Sequence, residues 1–433
     1  MPEEKVPRIL FYALGEFGLA IPIVFIPSYV FLFFSISEHS IPETTLGIIL
    51  GISTLVPGII QPLYGLRNDL AANSVKKLRR TVAFLSIPAG ISFLLIWVVS
   101  SVLSKHIAIV EFILLLVFQS LFSLITVAYY AIFPQITSDN RNRVRGEAWQ
   151  FYFSMAGTIF VSAGPALLLY LGYGIELAAV VSSILMTLTL LSVIGTGDTN
   201  HSHKGMPHNI IRADSFKRIA QALKNRNMLL YMATFLAFQF AIELVLLSLG
   251  YIMNILVFPN SSIADSMVGV FELVAIVAAI LLSPLMVRHV DKRGFKSSYL
   301  TFGAAFAGSS FFMSTLGLPS FPWNFLLLFT VAVSFGFGFL TLMILPSSVL
   351  SNIIDEAAIP TGERNDGFFF GMQGLFGIIG MSMAQFFVGI FLAFTYLKNG
   401  SSFYVRLLPV VAGVSIMASL LIFNKIRLLE KKQ

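Results

Sequence analysis

The chain has 433 residues, of which 57% are hydrophobic and 11% charged, with a net charge of +7, a mean hydropathy of +0.86 and no cysteine. That balance is far more apolar than a water-soluble domain, and the missing thiols exclude disulfides, thiolate metal sites and cysteine nucleophiles. Apolar stretches too long for soluble core helices recur from end to end, so the expected class is an all-α integral membrane bundle embedded in the lipid bilayer.

Residues 1–8 are polar and include acids, and the apolar run behind them continues past Phe33 with no small-residue cleavage site. This predicts a retained first helix over 9–35 instead of a removed signal. At roughly 20 residues per crossing, further spans are predicted over 46–66, 81–103, 107–134, 148–171, 174–195, 228–257, 264–287, 298–317, 323–350, 367–395 and 403–424, twelve in all. Between the sixth and seventh lies the one long polar stretch, 196–227, with His201, His203, His208, Arg212, Lys217, Arg218, Lys224 and Arg226. It reads as a solvated linker between two six-helix halves, 1–195 and 228–433, and its histidines as part of that linker, not as metal ligands. With the N-terminus inside, 25 of the 28 Lys and Arg fall in cytoplasmic loops and ends, leaving only Lys105, Lys398 and Arg406 outside. The split follows the positive-inside rule and predicts two cytoplasmic termini. It also accounts for the pI of about 9.5 without a nucleic-acid partner.

A central cytoplasmic linker between two six-helix halves is the organisation of major facilitator transporters, whose halves are repeats. The repeat is visible in the loops. Pro62-Leu63-Tyr64-Gly65 leads to Asp69, followed by Lys76, Lys77, Arg79 and Arg80; Pro284-Leu285 leads at the same spacing to Asp291, followed by Lys292, Arg293 and Gly294. Pro134-Gln135-Ile136-Thr137-Ser138-Asp139 with Arg141, Arg143 and Arg145 is answered by Pro346 with Asp355, Thr361-Gly362-Glu363-Arg364 and Gly367. On these residues the chain resembles, over nearly its whole length, the glycoside-pentoside-hexuronide cation symporters, the melibiose-carrier branch of the major facilitator superfamily. The resemblance implies a major facilitator fold and alternating access. Asp69, Asp139, Arg141, Arg143, Arg145, Asp291, Asp355, Glu363 and Arg364 would then form charged networks that close the cytoplasmic side.

The resemblance also marks departures. The acidic pair that binds the coupling cation on the family's second span is replaced here by Pro57 and Gln61, and the lysine of its eleventh span by Ile378. The sugar-binding acids of the first and fourth spans become Ala20 and Thr126, with Tyr130 near the family's neighbouring aromatic, and an arginine of the fifth span becomes Gln150. Neither the sodium ligands nor the charged sugar contacts of the family are therefore expected.

The charges that remain well inside spans are Glu16, Glu243 and Glu272, with no Lys or Arg beside them. An isolated carboxylate at the centre of a membrane helix costs at least about 2.5 kcal/mol, so such groups usually face a cavity and take a proton or bind a cation. Glu243 and Glu16 are the candidates for a proton-coupling residue, set against protonated glutamates that only join helices. Gln61, Gln119, Thr126, Tyr130, Gln150, Gln239 and Gln373 are polar groups in apolar helices that need partners, whether solute or a neighbouring helix. Gly371, Gly374, Gly377 and Gly380, spaced by three, permit close helix contact.

The expected function is secondary transport of a small organic solute across the cytoplasmic membrane, with H+ as the candidate coupling ion. The alternatives are uncoupled movement of an amphiphilic, lipid-like substrate, and a transporter-like sensor or scaffold. The latter lacks a soluble signalling domain in the sequence. No paired catalytic constellation or metal-spaced cluster falls in the spans, so neither an enzyme nor a cofactor is expected.

Overall fold

Inside the hydrocarbon layer every backbone N–H and C=O must be paired within its own segment, and an uninterrupted helix does this. The computed structural model describes residues 6–36, 41–70, 75–99, 107–136, 140–197, 225–259, 261–318, 323–358, 366–399 and 402–426, among which there are helices and no strand. The first, α1, covers 6–36 in three pieces: Val6–Ala13, Gly15–Phe31 and a π-helical end, Leu32–Ile36. Next come α2 (Glu43–Leu70), α3 (Val75–Val98), α4 (Ile107–Ile136), α5 (Asn140–Tyr170) and α6 (Ile175–Leu191). After the linker comes α7 (Arg226–Tyr251), which also ends in a π-helix, Ile252–Val257. A 50-residue helix, Ala264–Met313, is divided at Gly294, where φ is 78° and ψ 169°. Glycine reaches that left-handed conformation at no steric cost, so the stretch is two helices, α8 (264–293) and α9 (295–313). The last three are α10 (Trp323–Ala358), α11 (Asp366–Asn399) and α12 (Ser402–Asn424).

Among the described residues ten helices are long and apolar enough to cross a membrane, one of them being the divided 264–313 stretch, and Trp323–Gly338 is a shorter apolar helix. Each of the twelve predicted spans coincides with one of these helices. Several ends differ. The fifth span, expected over 148–171, begins at Asn140, and the tenth, expected to stop at 350, continues to Ala358. Arg141, Arg143, Arg145 and Asp355, which the sequence reading put in loops, therefore stand on helical turns. A count of apolar residues locates only the part of a helix within hydrocarbon, and nothing in 140–147 or 351–358 stops a helix from running on into the polar layer. Most of the linker 196–227 lies outside the described residues.

The chain divides into two compact units, Met1–His208 with Asp265–Gly269, and Asn209–Ala264 with Val270–Gln433. In the first, α1 packs on α5 and α6, while α4 packs on α2 and α3. Close approach is set by small residues: a Cβ at Gly157 of α5 would lie 2.5 Å from the Phe17 carbonyl oxygen of α1. Phe25, Phe33, Phe34, Phe93 and Trp97 form an aromatic cluster between α1 and α3. In the second unit α7 is the hub. It packs on α11, where a Cβ at Gly380 would lie 2.5 Å from the Leu236 carbonyl oxygen. It also packs on α12, where Ser415 and Ser419 donate to the carbonyls of Ala237 and Thr234 at 2.9 and 3.1 Å.

α9 and α12 are joined end to end. Lys296, at the start of α9, donates to the Asn424 and Ile426 carbonyls at and beyond the end of α12 at 2.6 and 3.0 Å. Arg406, near the start of α12, donates to the Ser314 and Leu316 carbonyls that follow α9 at 2.9 and 2.6 Å. Each cation sits at a C-terminus, where the orphan carbonyls and the helix dipole favour positive charge. Between these caps Tyr299 stacks on Phe423 with ring centroids 4.0 Å apart.

Candidate functional site

In the first unit the acid and aromatic singled out in the sequence meet. Glu16 of α1 is buried, and the Tyr130 hydroxyl of α4 donates to its Oε2 at 3.4 Å. Tyr130 itself is 49% exposed, so the pair has one closed and one open side. The backbone aims the carboxyl. At Leu14 the backbone of α1 stays helical but its hydrogen-bond ladder tightens, Phe17 N–H donating to the Leu14 carbonyl at 3.2 Å, and a pair of tyrosines clasps this turn. Tyr12 donates to the Tyr129 carbonyl at 3.1 Å, Tyr129 donates back to the Tyr12 carbonyl at 2.6 Å, and the two rings stack 4.4 Å apart at 12°. Gly15 makes room for this, since a Cβ there would lie 2.5 Å from Tyr129 Cε2. Thus two consecutive residues of α4 act on α1: Tyr129 holds the turn at Tyr12, and Tyr130 binds the carboxyl that follows it.

The other predicted polar groups of this unit are placed less directly. Thr126, one turn before Tyr130, donates to the Phe122 carbonyl of its own helix at 2.8 Å, and Gln150 donates to the Gly146 carbonyl of its own helix at 3.4 Å. Gln61 on α2 and Gln119 on α4 are half-buried.

In the second unit Glu243 is buried at the α7–α11 contact, where Gln385 Nε2 donates to its Oε1 at 2.9 Å. Gln239, one turn earlier on α7, lies against the face of α11 that carries Gly377 and Gly380. Gln373 of α11 has a buried Oε1 without a hydrogen-bond partner, and Glu272 is buried in α8. Of the predicted cytoplasmic charges, Asp291 is exposed. Asp139, Glu363 and Arg364 lie outside the described residues. Asp69, Arg141, Arg143, Arg145 and Asp355 lie on described helices, with side chains outside the described structure.

Sequence reasoning missed several participants. Gln385 has the same signal as Gln373, an amide in an apolar helix, but carries no charge to draw attention. Tyr12 and Tyr129 look like ordinary aromatics of membrane helices. Glu111, a further buried acid, lies one turn inside the start of α4, too near the end of its span to stand out; it is only 2% exposed and its Oε1 has no hydrogen-bond partner.

Among the described residues, then, twelve helices in two compact units enclose several buried acids. Residues 11–423 match the MFS/sugar transport protein family. The chain belongs to that family. As such it is a multi-pass membrane transporter, and its fold is shared with solved major facilitator structures. Among these are the crystal structure of the nucleoside transporter NupG and that of a D-xylose-proton symporter. NupG has a TM-score of 0.71 at 13% identity, over 97% of this chain and 99% of that one. The symporter has a TM-score of 0.69 at 13% identity, over 96% of this chain and 97% of that one. A mutant form of the nucleoside transporter superposes with a TM-score of 0.70 at 12% identity, over 97% of this chain and 98% of that one. At such identity the likeness is one of fold. Among curated proteins none matches the chain in sequence.

Proposed function

We propose that this member of the MFS/sugar transport family is a secondary transporter of the cytoplasmic membrane, not an enzyme. It moves a small, neutral, polyhydroxylated solute by alternating access, with proton binding at Glu16 as the coupling step. The observation that carries the reading is the Glu16–Tyr130 pair. It is a buried carboxyl held by a phenol whose other side is open, so a proton or a solute hydroxyl arriving at Tyr130 is felt by Glu16 through one hydrogen bond. A carboxyl with a single neutral partner favours binding a proton. Neutral amides and phenols suit uncharged hydroxyl-bearing solutes, and Gln61, Thr126, Gln150 and Gln373 are the further candidate contacts, with Glu272 as a buried acid of the second half. The proton-coupled sugar and the nucleoside named for the structural neighbours are solutes of this chemistry.

Both termini are assigned to the cytoplasm by the distribution of Lys and Arg. The halves are 1–195 and 228–433, joined by 196–227. The loop motifs support a divergent member of the melibiose-carrier branch in which the family's cation and sugar charges are replaced. Its cytoplasmic gate would use Asp69, Asp139, Arg141, Arg143, Arg145, Asp291, Asp355, Glu363 and Arg364.

The test is uptake by proteoliposomes of a panel of sugars, nucleosides and other small polar solutes, with and without an inward proton gradient. The wild type is expected to accumulate its solute only under the gradient, and Glu16→Gln to lose accumulation while keeping solute exchange. Equilibration indifferent to both gradient and substitution would make the protein an uncoupled facilitator and Glu16 structural.

A further inference from the structure

The Glu243–Gln385 contact is incomplete in a specific way. Gln385 Nε2 donates to Glu243 Oε1 at 2.9 Å, while Gln385 Oε1, in the same buried amide, has no hydrogen-bond partner. The two side chains are 6% and 5% exposed, so no open side supplies water to the amide oxygen. With Glu243 ionised, this arrangement would leave a charge in an apolar interior with one neutral donor, next to an acceptor that nothing satisfies. Both are costly for the same reason, the loss of hydration without replacement. One proton answers both, since it removes the charge and provides the donor that the amide oxygen lacks. Exchanging the amide's oxygen and nitrogen, which side-chain amides permit, leads to the same place. A carbonyl oxygen facing a carboxyl oxygen also needs a hydrogen between them.

On α9, which meets α7 through Phe238 and Tyr299, Lys296 donates to the Asn424 and Ile426 carbonyls, and among the described residues Glu243 is bonded by Gln385 and by no cation. Its own helix has Arg226 as its only other charge, about 25 Å away along the axis. α11 carries Asp366 and Lys398 at its ends, and α10 has Asp355 and Glu356 in its last turn. α12 contributes Arg406, whose guanidinium donates to the Ser314 and Leu316 carbonyls.

We propose that Glu243 and Gln385 form a proton-binding site within the second half of the chain. Glu243 holds a proton and donates it to Gln385 Oε1, while Gln385 Nε2 donates to the other carboxyl oxygen, giving a closed acid–amide ring that joins α7 to α11. Its ligand is the proton, and Gln385 is the positioning residue that favours the protonated carboxyl. The inference stands whether or not Glu16 couples transport, because it rests on a different pair of helices.

Infrared spectroscopy of the purified full-length protein at neutral pH tests it without any transport assay. The wild-type minus Glu243→Gln difference spectrum is expected to contain the C=O band of a hydrogen-bonded protonated carboxylic acid. Gln in place of Glu243 can still form an amide–amide pair, so the fold is retained. If the difference contains carboxylate bands instead, the proposal is overturned. Gln385→Leu gives a second reading on the wild-type acid: its C=O band should move to higher frequency as the amide donor is lost, and an unmoved band would also overturn the assignment.

Discussion

Gly15 occupies a place on α1 where a side chain cannot be accommodated without moving Tyr129. Gly15→Ala is expected to lower stability by about 1–3 kcal/mol, the usual cost of overpacking a rigid contact, seen as an earlier thermal unfolding transition in detergent. Tyr129→Phe keeps the ring stack and removes the donor to the Tyr12 carbonyl. It should cost about 1–3 kcal/mol, because a buried acceptor is left unpaired, and the same unfolding assay reads it. Tyr130→Phe is expected to behave differently. At 3.4 Å the Tyr130 bond to the buried Glu16 carboxyl is long, so stability should fall by less, about 1 kcal/mol, while the pH profile of transport changes because the hydroxyl bound to Glu16 is gone. These contrasts also show what was legible at this scale. Glu16 and Glu243 declare themselves, because a charge in an apolar helix needs a reason. Gln385 and the Tyr12–Tyr129 clasp do not, because their roles depend on which helix they meet, and a single sequence does not record partners across 117 or 142 residues of chain.

At the scale of the element, helix ends carry the testable features. Arg406→Ala is expected to cost about 1 kcal/mol, the usual worth of a cation at a helix C-terminus, detected as a lower unfolding temperature. Lys296→Ala should cost less, since its contact with Asn424 is exposed to solvent. Gly294→Ala forces a residue with a Cβ into the left-handed region and should cost about 1–2 kcal/mol. The middles of these helices were readable from hydropathy because the bilayer demands it. Their ends were not, as α5 shows, for a helix continues past the hydrocarbon wherever nothing breaks it. The π-helical ends of α1 and α7 had no sequence signal at all. They nonetheless repeat between the first helix of one half and the first of the other, with a buried serine, Ser28 or Ser248, four residues before each.

For the molecule as a whole, topology is the most direct prediction, and the lack of native cysteine makes it simple to check. Tyr173→Cys, in the exposed turn between α5 and α6, should react with a membrane-impermeant maleimide on intact cells. Lys292→Cys, at the exposed end of α8, should react only after permeabilisation. Reversed labelling would turn the protein over in the membrane. Class and fold were legible because composition, span length and the asymmetry of Lys and Arg all point to one arrangement. The branch and the solute were not, because the positions that define them in the resembling family hold neutral residues here. The paired caps of α9 and α12 bear on how the protein is made. α9 is synthesised well before α12, so the Ser314 and Leu316 carbonyls must wait for Arg406 until the final helix emerges. A chain halted in α10 or α11 therefore carries an unfinished helix end, two carbonyls that no guanidinium has yet reached.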